Sequence, residues 1–252
     1  MNRCWFSFSL VVPLGLVFFA SLARADEASK AKAKRAVQVA EDLRSADQTK
    51  LSVDLESVEP KNSFTYDMSI LRGTGRRALV TFLAPKQEIG RRLLAVKNKY
   101  WATFPDSKKV HVISRREMIG NSAFAIADLF QIDTENDYDS DLSGEETIEN
   151  KRCLLIELKA KHDQAPYHRV VYAVEESGFF PVRAKFYGVS GKHLKTMTVK
   201  SRAVINGKMR PEKLLMVDEA LSGKYSIWYT KSMKSEAVPE KVFTEAYLLS
   251  SI

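Results

Sequence analysis

Residues 90–129 read GRRLLAVKNKYWATFPDSKKVHVISRREMIGNSAFAIADL. Within them, residues 93–104 make one strand-length run that places Leu94, Val96, Tyr100 and Phe104 on one face and Lys97, Lys99 and Trp101 on the other. Pro105 and the polar triplet Asp106-Ser107-Lys108 end that run, because proline cannot donate to a ladder and short polar residues favour a turn. A second strand is predicted over 110–114. Residues 121–130 then set Phe124, Ala127 and Leu129 at a helical spacing. Strand, turn, strand and short helix predict the wall and lid of an apolar pocket.

Moving upstream, the period of two continues. Phe64, Tyr66, Met68 and Ile70 alternate with Thr65, Asp67 and Ser69, the pattern of a half-buried strand. Arg72-Gly73-Thr74-Gly75 reads as a turn, and 77–84 as the next strand, closed by Pro85. Residues 26–46 lack glycine and proline, and Ala33, Ala36, Val37, Ala40 and Leu43 recur at helical spacing. This predicts one amphipathic helix. Its basic start (Lys30, Lys32, Lys34, Arg35) runs against the helix dipole.

Downstream, the acidic segment 131–149, QIDTENDYDSDLSGEETIE, reads as a loop. Strands follow over 153–160, 169–175, 179–187, 194–205, 214–218 and 224–230, and 243–249 reads as a last short helix or strand. Ser177-Gly178, Ser190-Gly191, Asn206-Gly207 and Ser222-Gly223 supply turns, and Asn-Gly is the strongest short hairpin signal. Roughly ten strands joined by short turns predict antiparallel neighbours. A sheet that long must curl or close. The expected fold is mainly β: one large curled antiparallel sheet forming an incomplete β-barrel, with helices covering its concave face.

The first residues bear on compartment. A basic Met1-Asn2-Arg3, an apolar run over 5–20 and Ala23-Arg24-Ala25 before the charged segment from Asp26 have the form of a secretory signal peptide. The run falls short of the ~20 residues that span a bilayer. Cleavage after Ala25 leaves residues 26–252 as a single domain, with Cys153 as its one cysteine, so the fold rests on its core and not on a disulfide.

The net charge is +8, but the 39 lysines and arginines are spread along the chain without interleaved aromatics, which argues against nucleic acid as a partner. No nucleophile, base or metal set has convincing spacing, so no enzyme activity, metal or cofactor is expected. His162, Asp163 and His168 flank a turn and read as hairpin surface. Asp137, Asp139 and Asp141 alternate as in a calcium loop, but Leu142 and Ile148 stand where that loop needs glycine and a bidentate glutamate. Gly73-Thr74-Gly75 lacks the rest of a phosphate fingerprint. Cys153 sits in an apolar strand and reads as a buried thiol. Trp101 is expected on the outer face of the sheet against a helix. Arg76, Arg77, Arg91 and Arg92 read as surface charge, with lipid head groups or a partner's acidic rim the sharper alternatives.

The ordered blocks of the chain resemble a family. Residues 71–85, Gly90 with Leu93-Leu94, and Trp101 with Phe104-Pro105 come first. Gly120, Phe124, Asp128 and Leu129 follow, then Gly144-Glu145 leading into residues 152–158. Residues 181–187 with Gly191-Lys192, then Gly207, Pro211 and 243–248 complete the set. Together, behind a signal peptide, they are similar to the LolA-like outer-membrane lipoprotein-sorting proteins. The likeness is weakest at Asn121-Ser122-Ala123. It implies an incomplete β-barrel with a lid, located in the periplasm, whose apolar interior shelters the acyl chains of a lipoprotein or lipid cargo. It also implies an inner-membrane transporter or exporter as partner, transient membrane contact and a monomeric chain. The alternative is an exporter's periplasmic partner without cargo of its own. The expected ligand-binding wall is Phe64, Tyr66, Met68, Ile70, Leu94, Val96, Tyr100 and Phe104, with Phe124 and Leu129 on the lid. Met68, Met197, Met209 and Met216 would suit an adaptable lining, and ordinary core packing is the commoner role of such residues.

Overall fold

The computed structural model describes residues 14–107 and 109–250, with side chains from Asp26 onward. The expected signal peptide, residues 1–25, therefore lies outside the described residues, apart from the backbone of 14–25. Helix α1 spans Leu14–Arg44. Strands β1 (Thr49–Val58), β2 (Ser63–Gly73) and β3 (Arg77–Ala84) follow, then the short β4 (Arg92–Val96), β5 (Lys99–Thr103) and β6 (His111–Val112). After a long connection come β7 (Tyr138–Ile148), β8 (Lys151–Ala160), β9 (Arg169–Glu175) and β10 (Pro181–Tyr187). The chain continues through β11 (His193–Ile205), β12 (Lys208–Asp218), β13 (Tyr225–Ser235) and α2 (Glu245–Leu249).

All thirteen strands join one antiparallel sheet in the order β6-β5-β4-β3-β2-β1-β13-β12-β11-β10-β9-β8-β7. The pairing of β1 with β13 brings the two ends of the strand series together in the middle of the sheet. The two edges, β6 and β7, are consecutive in the chain. The sheet therefore stays open along one seam, and the connection 113–137 starts at one edge and returns to the other.

Alternation divides the side chains between two faces. The concave face carries the main core, to which β1 contributes Leu51, Val53 and Leu55 and β8 contributes Leu154, Ile156 and Leu158. Helix α1 lies against the β7, β9, β10 and β12 side of this face. Its fully buried Ala33, Ala36, Val37 and Ala40 carry the spacing expected from sequence. The Asn206-Gly207 turn has positive φ at both residues (51° and 71°), as a two-residue hairpin requires.

Three expectations need correction. Residues 93–104 are not one strand but the hairpin β4–β5, turned at Lys97, whose φ is 55°. The acidic stretch 131–149 is not all loop, because β7 runs through it. As an edge strand facing solvent on most of its length, β7 shows little hydrophobic alternation. Residues 121–130 are not a helix. The connection folds as a narrow hairpin in which Ile119 N donates to Phe124 O at 2.9 Å and Ile126 N to Glu117 O at 2.8 Å, followed by one 3-10 turn at Ile126–Leu129.

The convex face is covered at one end. Val238, Val242, Phe243 and Leu248 form a small cluster with Leu79 and Leu94. Gly73 lets this cap approach β2, since a Cβ there would come within 2.5 Å of the Phe243 ring. Gly73→Ala is expected to cost about 1–3 kcal/mol of stability by overpacking. Added Phe243→Ala should recover part of that loss, so the double variant is less destabilised than the sum of the singles. Urea denaturation of the four proteins checks this, and strict additivity would remove Phe243 from the explanation.

Candidate functional site

Along β2, Tyr66, Met68, Ile70 and Arg72 all point to the concave side because side chains alternate. The first three lie in the main core and Phe64 packs at its margin. Tyr100 lies in the same core, with Phe104 at the margin. Leu94 and Val96, expected beside them, belong instead to the convex cluster under the C-terminal cap. The reason is the turn at Lys97: Leu94 pairs with Trp101 and Ala95 with Tyr100, so the face follows the pairing and not the running count. Leu93 and Ala95 take the concave positions. Trp101 packs with the cap cluster, on the outer face as expected.

The connection 113–137 lies across the concave wall as a lid. Ile119, Phe124, Ile126 and Leu129 all enter the main core. Phe124 packs at a tilt against Trp228, with ring centroids 5.9 Å apart. The lid tip is pinned to the middle strands: Ser57 Oγ donates to Asn121 O and Ala123 N donates to Ser226 Oγ, both at 2.8 Å. Gly120 allows the close approach, since a Cβ there would meet Tyr66 Oη at 2.2 Å. The cavity enclosed between α1, the wall and lid residues 128–133 is only ≈30 Å³, while more open clefts of ≈280 and ≈850 Å³ run beside the lid at Met118 and at Ile113. The enclosed cavity admits a water or two, whereas ligand pockets run to ~300–1,000 Å³. With the lid down, the wall is plugged by the chain's own side chains.

What holds the lid is polar. Glu41 and Arg44, three residues apart on the inner side of α1, form a buried ion pair at 2.8 Å. Arg44 donates to Asp128 O at 2.8 Å and to Phe130 O at 2.6 Å. Arg72 donates to the intervening Leu129 O at 2.5 Å. Three successive lid carbonyls are thus taken by two guanidinium groups. Glu41 also accepts from Ile132 N at 2.9 Å and from Tyr172 Oη at 2.7 Å. On the other flank the Asp128 carboxylate accepts from Tyr167 Oη at 2.8 Å and pairs with the buried Lys195 ammonium. Arg76 pairs with Asp133, and Arg115 with Asp137 at 2.7 Å.

The electrostatics follow from this pairing. Burial works to raise the Glu41 carboxyl, but the Arg44 charge and hydrogen bonds from Arg44, Ile132 N and Tyr172 hold it below the usual carboxylate range. Burial and the Glu41 carboxylate push the Tyr172 phenol well up. Burial and Asp128 do the same to Tyr167.

The other candidates are placed away from this plug or are tied up. Arg77 pairs with Glu240 at 2.7 Å. Arg91 is buried over the Phe82 and Phe104 rings, 5.1 and 5.2 Å from their centroids, and is not the surface charge expected of it. Cys153 is buried in a small convex cluster, where burial pushes its thiol up. His162 Nε2 lies 3.2 Å from Asp137 Oδ1. Met68, Met197 and Met216 are in the main core, and Met209 is exposed on the far hairpin. Glu41, Arg44, Arg72, Asp128 and Lys195 did not figure among the expected site residues. Arg72 extends the even-numbered row from Phe64 to Ile70, and Glu41 follows Val37 by one helical turn, so both carried a legible signal.

A family model described as an uncharacterized-protein-like family matches residues 74–250. A LolA superfamily protein of Nitrosomonas europaea is 26% identical and superposes with a TM-score of 0.78, covering 85% of this chain and 98% of that one. The chain belongs to the LolA-like family. A lipoprotein-sorting protein domain of Vibrio parahaemolyticus shares this LolA-like fold at 20% identity and a TM-score of 0.76, over 87% of this chain and 99% of that one. A DUF1329 family protein of Desulfovibrio piger does so at 17% and 0.74, over 86% and 98%. No curated protein sequence matches the chain.

Proposed function

We propose that this LolA-like chain is a periplasmic carrier that takes the acyl chain of a lipoprotein or other amphiphile onto its concave wall and delivers it between membranes. The observation that carries this reading is the nature of the plug. An apolar wall is covered by apolar lid side chains, while the bonds that fasten the lid are polar and exchangeable with water. Displacing the lid uncovers a surface lined by Tyr66, Met68, Ile70 and Tyr100, with Phe64 and Phe104 at its margin. Each methylene transferred there gains ~0.8 kcal/mol. A chain of about a dozen carbons gains ~10 kcal/mol before the costs of immobilisation and lid opening. Those costs let the carrier release its cargo. Transfer of this kind makes and breaks no covalent bond. An inner-membrane transporter as donor, transient membrane contact and a monomeric state fit the same reading.

The filled interior favours a second reading, an exporter's periplasmic partner that holds no cargo. Titration with a palmitoylated peptide, with hydrogen exchange on the lid, separates the two. A carrier takes up the peptide saturably, and amides in 115–137 exchange faster when it is loaded. Absence of uptake, with lid exchange unchanged, would sink the carrier reading and leave the second.

A further inference from the structure

Arg72 stands at the end of the concave row Tyr66, Met68, Ile70, where an apolar wall meets a cation. Its side chain is 4% exposed. Among the described residues its one hydrogen bond goes to the lid carbonyl of Leu129, and its Nε has no partner. Among the described residues it forms no ion pair. A buried guanidinium normally has a carboxylate beside it, because an unpaired buried charge is costly. The neighbouring Arg44 makes matters worse, since it already holds Glu41, and Asp47 acts on Arg72 only through its charge, without a contact among the described residues. Burial and the Arg44 charge push the Arg72 guanidinium down to about 9, which leaves it charged at neutral pH.

Arg72 borders a narrow crevice of ≈10 Å³ that Arg76, Arg77 and Lys97 also line, closed on the lid side by Phe130 and Gln131. Arg76 is buried enough that its Nε is also unpartnered, and its carboxylate partner, Asp133, belongs to the lid. The Leu129 carbonyl on Arg72 and the Asp133 carboxylate on Arg76 therefore both leave when the lid leaves, and Arg76 keeps only a longer bond to Asn98 Oδ1 at 3.4 Å among the described residues. The closed lid lays Phe124 and Leu129 along the wall and presents a carbonyl and a carboxylate to the two guanidiniums. It has the layout of an amphiphile: an apolar body with oxygen acceptors, one of them a carboxylate, at one end.

We propose that Arg72 and Arg76 receive the anionic head group, a phosphate or carboxylate, of the amphiphile whose acyl chain replaces Phe124 and Leu129 on the wall. This rests on the carrier reading and narrows its cargo to amphiphiles with an anionic head. Guanidinium forks suit such oxygens, and charge-assisted bonds in a sheltered site are among the stronger ones.

The test compares dodecyl phosphate with its uncharged dimethyl ester by calorimetry, below micelle formation, with inorganic phosphate as a third titrant. The chain should prefer the phosphate by about tenfold or more, a difference of about 1.4 kcal/mol. The double substitution Arg72→Gln with Arg76→Gln should bring the ratio to within about twofold. Equal affinities in the unaltered chain, or a preference that survives the substitutions, overturns the proposal while leaving the carrier reading intact. Binding of neither dodecyl compound overturns both. Inorganic phosphate binding as tightly as dodecyl phosphate shows a free-anion site and overturns the head-and-chain assignment. Should the double variant not fold, a crystal structure with dodecyl phosphate decides, by placing the phosphate within hydrogen-bond reach of Arg72 or elsewhere.

Discussion

Arg44→Leu is expected to cost about 3–5 kcal/mol of folding stability and to reverse the pH dependence contributed by Glu41. The cost is that of a buried carboxylate left without its cation, together with two lid carbonyls, those of Asp128 and Phe130, left without a donor. The pH dependence follows from the direction of each shift. In the unaltered chain the Glu41 carboxyl is held below its ordinary value of 4.5. Its contribution to stability is therefore full above that value and is lost as pH falls through the lower folded value. Without Arg44, burial, the largest influence, is opposed only by the hydrogen bonds from Ile132 N and Tyr172, and it raises the carboxyl. The contribution is then full below the unfolded value and lost as pH rises through the raised one. Urea midpoints measured between pH 3 and pH 8 should lose the Glu41 contribution only below pH 4.5 in the parent and should rise toward acid in the variant. Added Glu41→Gln should restore part of the loss at neutral pH, because no uncompensated charge remains. A variant whose midpoints track those of the parent across that range would remove the ion pair from the account of the lid.

The sheet was legible because most of its strands carry one polar and one apolar face. Phe64, Tyr66, Met68 and Ile70 mark β2 with no help from any other part of the chain. Legibility ended where that physical condition ended. Strand β7 is an edge, with much of both its faces in solvent, so Asp139 and Asp141 alternate with Ser140 and Leu142 without a clear apolar period. The hairpin β4–β5 turns on Lys97 and Asn98 without a glycine or proline, and a run of period two hides such a turn. One hidden turn puts Leu94 and Val96 on the convex face, while Tyr100 and Phe104 lie on the concave one. Parity is informative only within a strand whose ends are known.

The lid shows a different limit. Phe124 and Leu129 were identifiable as apolar residues between polar ones, but their hairpin has no regular period, and its shape is fixed by distant partners. Ser57, Ser226 and Tyr66 hold its tip from strands far away in sequence. The fastening groups were harder still. Lys195 and Asp128 are 67 residues apart and resemble ordinary surface charges when read alone. Their burial is a property of the assembled plug. The same holds for Arg76 with Asp133 and for Arg44 with the lid carbonyls. Buried charge is expensive and therefore rare, so a sequence reading that assigns charges to the surface fails at the places where such charges are used.

Phe124→Ala provides the sharpest separation between a plug that must leave and a core that must stay. The side chain is 1% exposed and lies on Trp228, whose indole is itself fixed by a hydrogen bond to Thr230 at 3.0 Å. Its removal is expected to cost about 3–5 kcal/mol, the transfer term plus the cavity term of a large core residue. If the lid competes with cargo for the wall, the same free energy that is lost from the closed state is returned to any ligand that needs the open one. Apparent affinity scales with the fraction of chains in the competent state. Binding of a dodecyl chain should therefore tighten by about tenfold or more, each 1.4 kcal/mol of lost closure giving one factor of ten. The gain saturates once the open state predominates, so it is smaller than the stability loss converted in full. Trp228 reports directly on the displacement, and the titration is run beside urea denaturation of the same protein. In a cargo-free partner protein the closed core is the working state. There Phe124→Ala destabilises by the same amount and the dodecyl titration stays flat. A fall in stability without any tightening would thus identify Phe124 as core, and a fall accompanied by tightening would identify it as the part of the lid that occupies the place of the cargo.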